Sequence, residues 1–138
     1  MKNNQTIDQF LGIKNEQGKI IYSESPSGYW WKAEYDANGN ETRFEDSNDY
    51  WDISEYDVNG NRIYSKNSEG FWWKAEYDAN SNVIYYKDSY GDWWKAEYDD
   101  KGNETYYENS NGSIRNNRPK RVELTLAEIA ELIYILGV

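Results

Sequence analysis

From Tyr29 to Asp36 the chain reads Tyr-Trp-Trp-Lys-Ala-Glu-Tyr-Asp, with apolar and polar residues alternating in a period of two. That period predicts a β-strand with one face on each side of a sheet. A turn signal, Asn38-Gly39, follows, and a second alternating run extends from Glu41 to Asp46. The Glu-Tyr-Asp of Glu34–Asp36 then returns at Glu55–Asp57, Glu76–Asp78 and Glu97–Asp99, 21 residues apart each time. On the same period Gly28, Asp49, Gly70, Gly91 and Gly112 form one column. Trp30, Trp51, Trp72 and Trp93 form a second, and Tyr22, Tyr64, Tyr85 and Tyr106 a third. Self-similarity of this kind marks a repeat array, each unit of which is one supersecondary element.

Asn-Gly between alternating runs favours a two-residue hairpin turn with positive φ at both central residues. Such a turn places Tyr35 opposite Thr42, Ala33 opposite Phe44 and Glu34 opposite Arg43. One face then carries Trp31, Ala33, Tyr35, Phe44, Ile63, Ile84, Tyr86 and Tyr107. The other carries Trp30, Lys32, Glu34, Tyr64, Tyr85 and Tyr106. A slip of one residue would exchange the faces, so these sets depend on the turn. A second turn at Ser47-Asn48-Asp49, matched at Ser68–Gly70 and Ser89–Gly91, joins one hairpin to the next. The expected fold is mainly β: a single-layer antiparallel meander of about nine or ten strands, followed by a C-terminal α-helix.

Four segments result. Residues 1–15 are an Asn/Gln-rich arm or first edge strand, and residues 16–114 are the repeat sheet. Residues 115–123 are a basic linker carrying Arg115, Arg118, Lys120 and Arg121, with Pro119 at the boundary. Residues 124–138 hold an amphipathic helix. Thr125 and Glu128 form a capping box, Leu124 and Ile129 are placed as a hydrophobic staple, and Gly137 suits the stop. A helix from Leu126 to Leu136 is about 16 Å long. It is expected to cap part of the sheet, or to dimerise through Leu126, Ile129, Leu132, Ile133 and Leu136, because one layer leaves an apolar face uncovered.

Composition narrows the function. Acidic residues outnumber basic ones 25 to 15 in this chain of 138, a net charge of −10. Direct nucleic-acid binding, which draws on Lys and Arg contacts to phosphate, is therefore not expected. Low hydropathy alone suggests disorder, but 17% aromatic residues in register with the repeat supply burial. With no cysteine there is no disulfide framework, and with no histidine the usual base near neutral pH is missing. Residues 1–17 contain no apolar run of signal-peptide or membrane length, so a cytoplasmic protein without a membrane partner is expected.

Tyr-Asp, Asn-Gly-Asn, a Thr or Ile two residues on, a Ser turn with Gly, and the return to Glu-Tyr-Asp in 21 residues together resemble the YD repeats of Rhs-type β-strip proteins. The resemblance covers about Glu16 to Gly112. The chain departs from that family in having four to five copies, too few to close a shell, and in its paired Trp30-Trp31, Trp72-Trp73 and Trp93-Trp94. A small acidic protein with such a tract and a helical tail is also similar to accessory proteins of phages and mobile elements. That likeness implies an inhibitor that occludes a host nucleic-acid-binding protein, a CRISPR effector being one candidate.

Candidate chemistry is sparse. Asp36-Ala37-Asn38-Gly39-Asn40 resembles the start of a calcium loop, but Glu41 and Ser47 stand where an EF-hand needs Gly and Glu. The turn reading, in which Asp and Asn bond local backbone, is preferred, and neither metal nor cofactor is expected. Glu34, Glu55, Glu76 and Glu97 recur in every unit, whereas a catalytic pair needs one asymmetric constellation, so no catalytic residue is assigned. Two readings stay open for the Trp columns, sheet packing or a binding strip, and two for the acidic residues, solubility or imitation of a phosphate backbone. The partner-binding set is Glu34, Asp36, Glu55, Asp57, Glu76, Asp78, Glu97 and Asp99 with Trp30, Trp51, Trp72 and Trp93. The expected partner is a protein with a basic surface. A carbohydrate-binding module using the aromatic strip is the alternative, and a structural spacer the third reading.

Overall fold

The computed structural model describes residues 12–119 and 124–137. Eleven strands lie in sequence order in one antiparallel sheet: β1 (Ile13–Lys14), β2 (Ile20–Glu24), β3 (Trp30–Tyr35), β4 (Glu41–Asp46), β5 (Trp51–Tyr56), β6 (Arg62–Asn67), β7 (Trp72–Tyr77), β8 (Val83–Asp88), β9 (Trp93–Tyr98), β10 (Glu104–Asn109) and β11 (Ile114–Asn116). The single-layer meander is as the alternation requires. The N-terminal arm supplies an edge strand at Ile13–Lys14, and the basic segment opens as β11 rather than as linker. The rest of the arm before Gly12, together with Lys120 and Arg121, lies outside the described residues.

The turns differ from the two-residue form expected at Asn-Gly. In the first complete unit, Gly39 N–H donates to Asp36 O (3.0 Å) and Asp36 N–H to Asn40 O (2.9 Å). Gly39 has φ +83°, whereas Asn38 is not in the left-handed region. The loop is thus Ala37-Asn38-Gly39, a type I turn closed by one left-handed residue. It recurs at both edges of the sheet, headed by Asp46, Asp57, Asn67, Asp78, Asp88, Asp99 and Asn109. Asp49 (φ +62°) and Ser81 (φ +64°) occupy the glycine position of two copies. A side chain there costs about 1 kcal/mol, so Ser81→Gly is expected to stabilise the fold by about that amount in chemical denaturation.

A three-residue loop moves the register by one, and a bulge moves it back. Tyr35 pairs with Glu41, not Thr42, but the register shifts between Glu34 and Tyr35. Glu34 then faces Arg43 and Ala33 faces Phe44, as the simple hairpin predicts. The same shift recurs at Tyr56, Tyr77 and around Glu104. It explains why consecutive loop heads are alternately 10 and 11 residues apart, giving the period of 21. It also explains one misplacement. Ile63 and Ile84, expected beside Trp31 and Ala33, line hollows together with Glu55, Tyr64 and Glu76, or with Glu97 and Tyr106, on the opposite face. The bulged residue next to the shift loses the strict alternation.

Two side-chain columns fasten the units. Ser47, Ser68, Ser89 and Ser110 close the open end of each hairpin. Each Ser N–H donates to a Trp carbonyl (2.8–2.9 Å), and each Ser Oγ accepts from the N–H of that same Trp: Trp30, Trp51, Trp72 or Trp93. Between hairpins, the hydroxyls of Tyr56 and Tyr77 donate to Glu41 O (3.0 Å) and Arg62 O (2.9 Å) of the preceding strand, where the backbone ladder has ended. Burial, and then the negative charge of Asp57, push the Tyr77 hydroxyl above its ordinary pKa, which keeps it protonated as the donor.

No large side chain is fully enclosed among the described residues; the buried apolar residues are Ala33, Ala75 and Ala96. Aromatic rings instead stack along one face. Trp73, Tyr86, Trp94 and Tyr107 form a continuous ladder with centroids 6.1, 6.1 and 6.0 Å apart, and Trp31 stacks on Phe44 at 5.9 Å. The ladder breaks in the second unit, where Asp52 and Ser65 stand in the columns of Trp and of Phe or Tyr. There Arg62 bonds Ser54 (2.8 Å) and lies 3.7 Å from Asp52.

Helix α1 (Leu126–Leu136) has the predicted bounds and caps. Glu128 N–H donates to Thr125 Oγ1 (3.3 Å), Thr125 N–H donates to Glu128 (2.7 Å), and Gly137 ends the helix at φ +66°. It packs on no strand among the described residues, so the expected capping of the sheet is not seen. The ring ladder already shields the small residues that a cap would cover. Leu126, Ile129, Leu132, Ile133 and Leu136 are all exposed.

Candidate interaction face

The face opposite the ring ladder gathers part of the predicted partner-binding set. Alternation in each strand sets Trp30, Lys32 and Glu34 on it, then Trp51 and Glu55, then Trp72, Lys74 and Glu76, then Trp93, Lys95 and Glu97. Glu34, Glu55, Glu76 and Glu97 are exposed, and each faces its hairpin partner: Arg43, Tyr64, Tyr85 and Tyr106. The four Trp are half-buried, and Trp30 stacks on Tyr22 at 6.5 Å. Consecutive Trp residues do point to opposite faces: Trp31, Trp73 and Trp94 belong to the ladder, while Trp30 and Trp93 have Lys32 and Lys95 lying over their rings at 5.9 and 5.5 Å.

Asp36, Asp57, Asp78 and Asp99 stand at the margin of that face, where Asp57 and Asp78 border the furrows that cross it. They head the loops along one edge, and each carboxylate accepts two backbone N–H groups and the side-chain amide of Asn40, Asn61, Asn82 or Asn103, at 2.8–3.2 Å. The Asn side-chain bonds, then the backbone ones, hold Asp36, Asp78 and Asp99 below the ordinary carboxylate range; Asp57 is lowered chiefly by Asn61. These carboxylates are turn parts, as the preferred reading of Asp36–Asn40 has it. Among the described residues no group of three or more carboxylates is placed to hold a metal ion.

Two open furrows run across the face at equivalent places in successive units. One, of about 790 Å³, is bordered by Glu55, Ile63, Tyr64, Lys74, Glu76 and Tyr85. The next, of about 540 Å³, is bordered by Ile84, Lys95, Glu97, Tyr106, Glu108 and Arg118. Ion pairs cross the same face: Lys32 with Glu45, Arg43 with Glu45 (2.9 Å) and Lys95 with Glu108 (3.3 Å). Lys32 first, then Arg43, draw the Glu45 carboxyl below its usual range.

Basic residues after the last repeat clasp the sheet edge from both sides. Arg115 pairs with Glu104 (2.8 Å) with its guanidinium 4.0 Å from the Tyr107 ring centroid, on the ladder face. Arg118 pairs with Glu97 through two bonds (2.7 and 2.5 Å) and lies 3.9 Å from the Tyr106 centroid, in the furrow. The sequence marks this segment only as a basic linker and does not single out Arg118, nor the Tyr column as its platform. The column was visible in the period, and the hairpin that sets Glu34 opposite Arg43 sets it opposite the Glu column; only Arg118 above the pair needed the structure.

No protein-family model matches the sequence, and no curated protein matches it. Among solved structures the fold is similar to chains in a Photorhabdus luminescens Tc holotoxin pore carrying a TccC3 mutation (TM-score 0.55, 15% identity over 72% of this chain) and in a TcdB2-TccC3 structure (TM-score 0.55, 16% identity over 69%). This chain spans about 5% of the length of either. The class defined is a single-layer β-strip of tandem hairpins, and its period, meander and structural neighbours fit YD-type repeats.

Proposed function

We propose that this protein is a non-catalytic interaction module that lays its furrowed face against a basic surface of a partner protein. The observation that carries the reading is the row of exposed Glu34, Glu55, Glu76 and Glu97 beside half-buried Trp30, Trp51, Trp72 and Trp93 on one continuous face. A row of equivalent, open sites favours surface covering over catalysis, which works in an enclosed, asymmetric pocket. The net charge of −10 suits fast association with a cationic partner. A partner that binds nucleic acid through that same surface would lose it while covered, the inhibitor role that the likeness to phage accessory proteins implies.

No helix among the described residues is long and apolar enough to cross a membrane, so a lysate pull-down is a practical test. A stoichiometric basic partner is expected at low salt and should be released at high salt, since surface charges are screened over about 8 Å at physiological ionic strength. Glu34→Gln/Glu55→Gln/Glu76→Gln should weaken the complex about tenfold, at roughly 0.5 kcal/mol per surface charge. Retention on insoluble glycan with no protein partner, abolished by Trp72→Ala, would replace this reading with a carbohydrate-binding one.

A further inference from the structure

We infer that the furrow bordered by Glu55, Tyr64, Glu76 and Tyr85 is a docking site for arginine side chains of the partner, with the Glu76–Tyr85 pair as its first subsite. This rests on the basic-partner reading above and names the chemistry that the face selects. The chain itself supplies the template. One unit further on, the same pair of columns, Glu97 and Tyr106, holds Arg118: the guanidinium lies 3.9 Å from the Tyr106 ring centroid and makes two bonds to the Glu97 carboxylate, at 2.7 and 2.5 Å.

Glu76 and Tyr85 are directly opposite across β7 and β8, as Glu97 and Tyr106 are across β9 and β10. Among the described residues no guanidinium lies on Tyr85. Its neighbour across the next strand, Lys95, borders the hollow beside Glu76 and Tyr85 but has its ammonium engaged by Glu108 (3.3 Å) and over Trp93 (5.5 Å). Lys74 borders the furrow without a carboxylate partner opposite it, because Lys87 stands where Glu45 and Glu108 stand in other units, and it lies 5.7 Å from the Tyr64 centroid. Glu55, Asp57 and Glu76 against Lys74 leave the furrow negative.

Geometry favours arginine over lysine. A planar guanidinium stacks on an aromatic face while giving two parallel bonds to a carboxylate, and an ammonium cannot do both. Subsites on successive units are two strands, about 10 Å, apart. Side chains at i and i+3 of a polyproline II segment point the same way about 9 Å apart, so arginine at every third residue matches the spacing.

The test titrates the full chain, by calorimetry at low and high salt, with the peptides acetyl-(Arg-Pro-Pro)3-amide and acetyl-(Lys-Pro-Pro)3-amide. The arginine peptide should bind about fivefold more tightly than the lysine peptide, and Glu76→Gln or Tyr85→Leu should each remove that preference. Arg118→Ala, which clears the neighbouring subsite, should strengthen arginine-peptide binding. Unchanged melting temperatures of Glu76→Gln and Tyr85→Leu exclude loss of fold as the cause. Equal, salt-sensitive binding of the two peptides would overturn the arginine subsite and leave the basic-surface reading standing. Binding of neither at low salt would overturn both.

Discussion

Trp94→Ala is expected to destabilise the fold by about 3 kcal/mol, and Trp93→Ala, one residue away, by about 1 kcal/mol. Trp94 stands between Tyr86 and Tyr107 in the ring ladder, stacked at 6.1 and 6.0 Å, so its loss breaks two aromatic pairs and bares the strip beside Ala96. A half-buried ring places the cost at the low end of the range for a large core residue. Trp93 lies on the opposite face, under Lys95, with no ring stacked on it among the described residues. Guanidinium denaturation of the two variants checks the difference. Equal costs would show that the ladder is not what holds the single layer together. The contrast also separates two roles that the paired tryptophans left mixed: one column consolidates the sheet, and the other is the one the proposed partner contact would use.

Unfolding in acid is expected to be steep, and to be softened by four Asp→Asn substitutions. Asp36, Asp57, Asp78 and Asp99 all have their carboxyls lowered by bonds within their own turns. A carboxylate with a lowered folded pKa contributes its full stability above the unfolded value, near 3.9, and loses it as pH falls through the folded value. The denaturation midpoint should therefore hold from pH 7 to about 5 and drop below about 4. Glu45, Glu97, Glu104 and Glu108, lowered by Lys, Arg or Tyr partners, act in the same direction. Glu41 acts in the opposite one: burial, and then Asp52, raise its carboxyl, so its protonation at low pH favours the fold. Asn is a working replacement for Asp in these turns, since Asn67 Oδ1 already accepts the N–H groups of Glu69 and Phe71, both at 3.1 Å. The Asp36→Asn/Asp57→Asn/Asp78→Asn/Asp99→Asn variant should fold at pH 7 and show a clearly shallower fall below pH 4. An unchanged acid profile would move the sensitivity to the glutamates.

Much of the architecture was legible because a repeat states its local rules several times over. The period fixed the hairpins, the Glu, Trp and Tyr columns and the recurring turns, and Thr125, Glu128 and Gly137 bounded the helix by local capping alone. The turn type was misread at Asn38-Gly39, because Asn-Gly also suits a three-residue loop in which only Gly takes the left-handed conformation. That error and the bulge at Glu34/Tyr35 cancel, which is why Ala33–Phe44 and Glu34–Arg43 were placed correctly while Tyr35, Ile63 and Ile84 were not. The candidate face was half legible: the Glu and Trp columns belong together, while Asp36, Asp57, Asp78 and Asp99, grouped with them as partner-binding charges, are engaged as turn caps, in keeping with the turn reading of Asp36–Asn40.

By itself, then, the sequence determined a single antiparallel layer of tandem hairpins with a capped helix after it, since alternation, turn residues and caps act over a few neighbouring positions. Only the tertiary structure decided which Trp column stacks, where Arg115 and Arg118 clasp the edge, and that Arg118 lies over the Glu97–Tyr106 pair. Those contacts join residues 8 to 21 positions apart, and they follow from strand register, which one bulged residue in each unit resets.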